Sequence, residues 1–308
     1  MGTVCTVTLF DKADSNTYNK IFNRIREMEN LMSVNIETSD ISRINAAAGI
    51  SPVNVHEDVF KVIESAIHYA QISDGAFDPS VGPLVSLWGI TGDNPRLPSR
   101  KEIEEALLLI NWQDIEMNAQ EKSVFLKNNG MALDLGGIAK GYAADEATLI
   151  IKNAGVKGAI IDLGGNIILH GEKKDRSPWR VGVQKPNTNR GEYIGILNIS
   201  NRRNQSVVTS GVYERYFEKD GKKYHHLFDP SCGYPAENGL VSVTVITPVS
   251  MDADALSTAV FVSGYEKGRT LAESLPETEA VFVFDDSTVR VTAGVNFTLT
   301  DKSFILAD

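Results

Sequence analysis

The sequence is poor in cysteine: Cys5 and Cys232 stand far apart in 308 residues. Two such thiols form neither a disulfide framework nor a metal cluster by themselves, so they read as isolated sulfur atoms. Long apolar runs are missing as well, and no stretch approaches the ~20 residues of a membrane-spanning helix. There is no run of Lys or Arg, and 30 basic against 40 acidic residues give a formal charge of −10. Such a chain has nothing to follow a phosphate backbone, which argues against nucleic acid and anionic membrane as partners. Internal repeats, low-complexity segments and Pro/Gly/Ser-rich linkers are all lacking, so one compact unit over 1–308 with no internal boundary is expected. A basic segment followed by an apolar run is also missing at the start, where Met1, Gly2 and Thr3 lead straight into a strand-like stretch. The expectation is a cytosolic protein or one whose leader has been removed.

What is present is the composition of a folded protein with a large core, 42% hydrophobic and 23% charged with 25 Gly and 11 Pro. Ile21, Phe22, Ile25, Met28, Leu31 and Met32 recur at helical spacing, which predicts a helix over 17–33 with its methionines in the core. A second amphipathic helix is expected over 56–73, with Phe60, Ile63, Ile67 and Ala70 on its buried stripe. A third is expected over 100–109 behind Ser99 as N-cap. The Gly- and Pro-marked stretch 74–98 between them reads as irregular. The centre alternates an extended segment at 132–135, a helix over 137–154 and a strand at 158–163, a βαβ-like rhythm. Shorter strands with turns at Pro186, Asp220 and Cys232 follow from 181 to 245 and predict antiparallel sheet. Helices over 252–262 and 265–274 precede strands at 280–284 and 288–292. Mixed strands and helices of this kind indicate an α+β fold.

Three segments carry residues suited to chemistry. The first, DLGGIAKGY at 134–142, runs from a strand end through a Gly pair into a helix, a turn that offers backbone N–H groups to a phosphate. It matches neither G-x-x-x-x-G-K-[ST] nor G-x-G-x-x-G, and packing glycines at a strand-to-helix corner are the alternative. The corner DLGGN at 162–166 repeats the pattern, with a tight turn as its plainer explanation. The second, MDADALSTA at 251–259, puts Asp254 and Thr258 four apart on one helix face. Hard oxygens so placed suit Mg²⁺, while Asp252 or Asp254 could equally complement the helix N-terminus. The third, YHHLFDPSCG at 224–233, holds His225 and His226 on opposite faces of a strand, so that at most one can serve a given cleft as a general base. No further ligands at zinc spacing accompany them. The preceding TSGVYER at 209–215 lacks a G-x-S-x-G elbow, which argues against a serine hydrolase.

Taken in order, these segments resemble the FAD:protein FMN transferases of the ApbE family, which includes flavin-trafficking lipoproteins. The matching pieces are Met1 to Thr3, SDISRIN at 39–45, AFDPSVGPL at 76–84 with Trp88 and Gly89, the 134–142 corner, TSG at 209–211, the 225–233 segment and ADALSTA at 253–259. The resemblance implies an α+β, T-fold-like unit in which mixed and antiparallel sheets pack with helices. It further implies a Mg²⁺-dependent reaction on the FAD pyrophosphate that passes FMN to a Thr hydroxyl of an acceptor protein and releases AMP. With water as acceptor the products would be FMN and AMP, and a flavin-binding protein that does not cut FAD is the alternative. By the same resemblance the metal is held by a backbone carbonyl at Gly137 and by Asp254 and Thr258. The flavin nucleotide meets Met1, Ala76, Phe77, Asp78, Asp134, Lys140 and the backbone of Phe228, and His226 takes the acceptor proton. Asn35 stands where many members carry a stacking aromatic, which implies weaker flavin retention and a share of FAD hydrolysis. Members are commonly exported and lipid-anchored, so a periplasmic, anchored native form is expected.

Overall fold

The computed structural model describes residues 2–11, 15–188, 191–200 and 204–307. In chain order they form β1 (Cys5–Leu9), α1 (Ser15–Met32), α2 (Asp40–Ala46), β2 (Val53–Asn54), α3 (Glu57–Ile72), α4 (Gly82–Trp88), α5 (Arg100–Leu107), β3 (Ile115–Asn118) and β4 (Ser123–Leu126). Next come α6 (Ala139–Asn153), β5 (Gly158–Leu163), β6 (Asn166–Gly171), β7 (Trp179–Gln184), β8 (Tyr193–Ile199) and β9 (Gln205–Gly211). The last part holds β10 (Tyr216–Lys219), β11 (Lys222–His225), β12 (Leu240–Thr247), α7 (Ser250–Ser274), β13 (Glu279–Phe284), β14 (Thr288–Val291), β15 (Phe297–Leu299) and β16 (Ile305–Leu306). They group into two compact units, Met1–Arg26, Lys140–Gly211 and Asn238–Asp308 in one, Glu27–Ala139 and Val212–Glu237 in the other. The four crossings fall within α1, at the start of α6, at the end of β9 and in the loop between β11 and β12.

The first unit is built on an eight-stranded sheet in the order β1-β5-β6-β9-β12-β13-β14-β16. Its neighbours pair antiparallel except β14 with β16, which are parallel. A three-stranded sheet, β15-β8-β7, contributes Trp179, Val181, Ile194 and Leu197 to a core shared with Val207, Ile246, Val281, Val283 and Val289 of the large sheet. Strand residues alternate sides, so Phe282, between Val281 and Val283, faces the other way, and there it meets Tyr265 of α7 edge-on at 5.1 Å. Gly264 breaks α7 into the two helices expected from the sequence: its φ of 74° and ψ of 174° are open to glycine and strained for any residue with a Cβ.

The second unit holds α2 to α5 with the small sheets β2-β4-β3 and β10-β11. Helix α3 starts at the expected His56, whose side chain accepts the Asp58 N–H, and α5 starts at Ser99 in a full capping box with Glu102. Two expectations are corrected. The stretch 74–98 is not wholly irregular, because α4 forms inside it with a proline in its first turn, where the missing N–H costs nothing, and buries Leu84 and Trp88. Nor is there a βαβ unit around α6. The segment 132–135 makes only an isolated parallel bridge from Ala132 to Val81, and β5 lies antiparallel to both its neighbours, β1 and β6. Apolar periodicity locates strands and helices, whereas the identity of a strand's neighbour depends on partners remote in the chain.

Candidate active site

In the first unit the chemistry gathers where α6 and α7 begin. Asp254 is 3% exposed, and its carboxylate accepts the Gly141 N–H at 2.9 Å and stands 3.3 Å from the Lys140 ammonium. Buried charge of this kind is tolerable only when paired and hydrogen-bonded, and here both conditions are met. Asp254 does complement a helix N-terminus, that of α6 rather than of its own helix. One turn on, Thr258 lies on the same face, its hydroxyl 3.5 Å from Ser210 Oγ of β9. Ser210 also bonds Ser257 at 2.8 Å, and Ser257 in turn donates to the Asp254 carbonyl at 2.9 Å. The TSG segment of β9 is thus joined to the metal-binding candidates through hydroxyls.

A carboxylate and a hydroxyl one turn apart are hard oxygen donors. Among the described residues no group of three or more His, Cys, Asp and Glu side chains could hold a metal ion. A cation at Asp254 would therefore take the rest of its shell from hydroxyl, carbonyl, water and phosphate oxygens, which is how Mg²⁺ is commonly bound and fits the residues present.

In the second unit two motifs remote in sequence run side by side. Val81 bridges Ala132, and the Asp134 N–H donates to the Pro79 carbonyl at 2.9 Å, so the 76–84 segment lies along the start of the Gly-rich corner. Asp134 Oδ1 accepts the Gly136 N–H at 2.7 Å and shapes the turn through Gly137 that feeds into α6, whose regular part begins at Ala139 rather than at Gly137. Ala76 is half-buried, and Phe77 is buried with its N–H held by Ser73 Oγ at 3.1 Å. Asp78 is occupied with its own loop: Oδ1 accepts both the N–H and the hydroxyl of Ser80, and Oδ2 accepts the Trp112 N–H. Burial pushes its carboxyl above the ordinary range, opposed by those hydrogen bonds.

The His pair divides at the end of β11, where His225 is the last strand residue and His226 the first beyond it. His225 is buried, with Nε2 3.2 Å from the Ala236 carbonyl and Nδ1 accepting the Leu227 N–H at 3.3 Å. Burial lowers its pKa to about 4, so it is neutral and engaged at both ring nitrogens by backbone. His226 is half-buried, and its Nδ1 lies 3.1 Å from the Arg215 carbonyl. A carbonyl only accepts, so Nδ1 carries the proton and Nε2 is the basic nitrogen. Phe228 is buried against Trp88 at 5.8 Å, and the Trp88 indole N–H donates to the Gly233 carbonyl at 3.0 Å. This ties the 225–233 loop to α4.

Asn35 lies in the exposed turn after α1, its N–H held by Ser33 Oγ at 3.2 Å. Met1 lies outside the described residues. The corner at 162–166 is the tight turn joining β5 to β6, with Gly164 and Gly165 both at positive φ. Sequence reasoning passed over Asp145, Ser206 and Ser250. The signal for Asp145 was its place one turn after Gly141 on α6, the same four-residue spacing that drew notice to Asp254 and Thr258.

This α+β scaffold, with a paired carboxylate, a hydroxyl and a lysine at two helix starts, is that of a known group of proteins. The model of the ApbE family matches residues 1–282. The FAD:protein FMN transferase of Klebsiella pneumoniae (strain 342) is 40% identical over 92% of this chain and 86% of its own length. The protein of the same name from Treponema pallidum (strain Nichols) is 36% identical over 99% of this chain and 89% of its own. Among solved structures, the ApbE protein of Thermotoga maritima superposes with a TM-score of 0.84 at 35% identity, covering 94% of this chain and 93% of that one. The chain belongs to the ApbE family.

Proposed function

We propose that the chain is a Mg²⁺-dependent FAD:protein FMN transferase that moves FMN from FAD to a threonine hydroxyl of an acceptor protein, and that hydrolyses FAD to FMN and AMP when water replaces the hydroxyl. Membership of the ApbE family carries the transferase activity, with relatives of that name aligned over 99% and 92% of the chain. Its metal dependence is supported by the hard-oxygen pair Asp254 and Thr258, one turn apart on α7.

In the reaction the acceptor oxygen bonds to the phosphorus of the FMN half, the bond from that phosphorus to the bridging oxygen breaks, and AMP leaves with its electron pair. The hydroxyl proton passes to Nε2 of His226, a contribution of about 10²–10⁴-fold for a positioned base. Mg²⁺, when bound, neutralises the phosphate oxygens as charge moves toward AMP. Lys140 offers its ammonium to the same oxygens. Ala76, Phe77, Asp134 and the backbone of Phe228 hold the flavin nucleotide, as would Met1, and Asp78 shapes the loop that presents the first two. Asn35 provides no aromatic face, which removes roughly 1 kcal/mol of flavin binding and favours turnover over storage. We further propose an extracytoplasmic, lipid-anchored location, which rests on the resemblance to flavin-trafficking lipoproteins alone.

AMP release tests the activity. Wild-type protein with FAD should release AMP in Mg²⁺ and none in EDTA. Asp254→Asn keeps an acceptor for the Gly141 N–H yet loses the charge, so it should bind FAD and release AMP at least about 100-fold more slowly. FAD bound in Mg²⁺ without AMP release by the wild type would instead define a flavin-binding protein.

A further inference from the structure

Helices α6 and α7 exchange carboxylates at their first turns, in addition to Asp252 within the first turn of α7 itself. Val249, ahead of α7, makes no side-chain cap bond, and the first turn of α6 has no acidic residue. Asp145 of α6 accepts the N–H groups of Ser250 at 2.9 Å and Met251 at 2.8 Å, the first two residues of α7. Asp254 of α7 accepts the N–H of Gly141, near the start of α6. The first four N–H groups of a helix have no acceptor within it, so each of these bonds satisfies an orphan donor and places negative charge at the positive end of a helix dipole.

The spacing of these contacts fixes the register. Gly141 and Asp145 are one turn apart on α6, as are Ser250 and Asp254 on α7, so two contacts lock both the sliding and the rotation of one helix start against the other. Gly141 lets the backbones meet, since a Cβ there would lie 2.3 Å from the Ser250 carbonyl oxygen. From the sheet side, Ser250 Oγ donates to Asn166 Oδ1 at 2.6 Å and accepts from Ser206 Oγ at 3.0 Å, and all three residues are buried.

We propose that Asp145 is a positioning residue: by capping α7 it holds Asp254 and Thr258 in the register at which they meet a divalent cation beside Lys140. This rests on the assignment of Asp254 as a metal ligand. Both carboxylate oxygens of Asp145 are engaged by the first two N–H groups of α7, so its effect on the cation runs through Asp254 and Thr258. Without it the first turn of α7 loses the acceptor for two N–H groups, and the slack reaches Asp254 one turn further on.

The test compares Asp145→Ala, Asp145→Asn and, as a control on the neighbouring position, Glu146→Gln, which removes a charge paired with Arg24 at 2.8 Å. The readouts are the Mg²⁺ concentration that half-maximally raises the Tm of the flavin-free protein and the concentration that half-maximally supports AMP release. Asp145→Ala should raise both by about 10–100-fold, the usual effect of losing a residue that orients a metal ligand. Asp145→Asn, which keeps one acceptor oxygen, should raise them less, and Glu146→Gln should leave both where they are. If Asp145→Ala does not fold, Asp145→Asn decides by its shift relative to Glu146→Gln. An unshifted midpoint in folded Asp145→Ala, or an equal shift in Glu146→Gln, overturns the positioning role alone. A wild-type protein with no Mg²⁺ response in either readout overturns the metal assignment and this role with it.

Discussion

At the scale of single residues, the two adjacent histidines at the end of β11 meet different surroundings, His225 buried and His226 half-buried. His225 is a neutral ring bound at both nitrogens, and its depressed pKa has a thermodynamic consequence. The unfolded chain takes up a proton near pH 6.5, whereas the folded one resists until about 4, so the stability this residue contributes is complete above the higher value and is lost as pH falls through the interval. The loss amounts to about 3 kcal/mol. Urea unfolding between those pH values should show the decline in the wild type and a flatter profile in His225→Gln. An equal slope in both would place the pH dependence elsewhere. The sequence identified the pair and the rule that only one could face a cleft. Which one is buried goes with the carbonyls of Ala236 and Arg215, both eleven residues away, and no local pattern announces those. Asp78 was expected to contact the flavin nucleotide, and the partners that use up its oxygens, Ser80 and Trp112, were beyond what spacing could reveal.

At the scale of elements, capping and apolar periodicity made most of the helices legible. Ser99 with Glu102, His56 ahead of α3 and the stripe of α1 all lie within a few residues of what they specify. Helix α4 was hidden because its Gly and Pro read as breakers, although a proline in the first turn is a starting signal. The reciprocal capping of α6 and α7 was hidden for a different reason: each cap comes from a helix more than a hundred residues away. Gly141 is the element-level test of that contact. Gly141→Ala adds a methyl where only 2.3 Å is available to the Ser250 carbonyl, so one helix start must shift. The expected result is a stability loss of at least about 1–3 kcal/mol in urea unfolding, accompanied by slower AMP release. Full stability in that variant would mean the helices approach less closely than described.

At the scale of the whole molecule, the absence of disulfides and linkers leaves cohesion to buried apolar faces, and the antiparallel order of the large sheet brings β9 and β12 against α7, where Ser210 and Thr258 meet. The formal charge of −10 opposes the approach of an anion such as FAD, so the proposed activity should depend on metal more steeply than on ionic strength. Fold class and family were legible because the motifs, weak one by one, occur in order along nearly the whole chain. The pairing of strands and the placing of the helix starts were not, since both arise from contacts between distant segments. The central claim is that FMN is transferred to a protein hydroxyl. Its most direct test is intact-mass measurement of a threonine-containing acceptor domain after incubation with FAD, Mg²⁺ and either wild-type protein or His226→Ala. An FMN-sized mass gain matched by an equal amount of AMP, and slowed about 100-fold or more in the variant, is the predicted result. AMP without any mass gain, or an equal rate of gain in His226→Ala, would contradict the account.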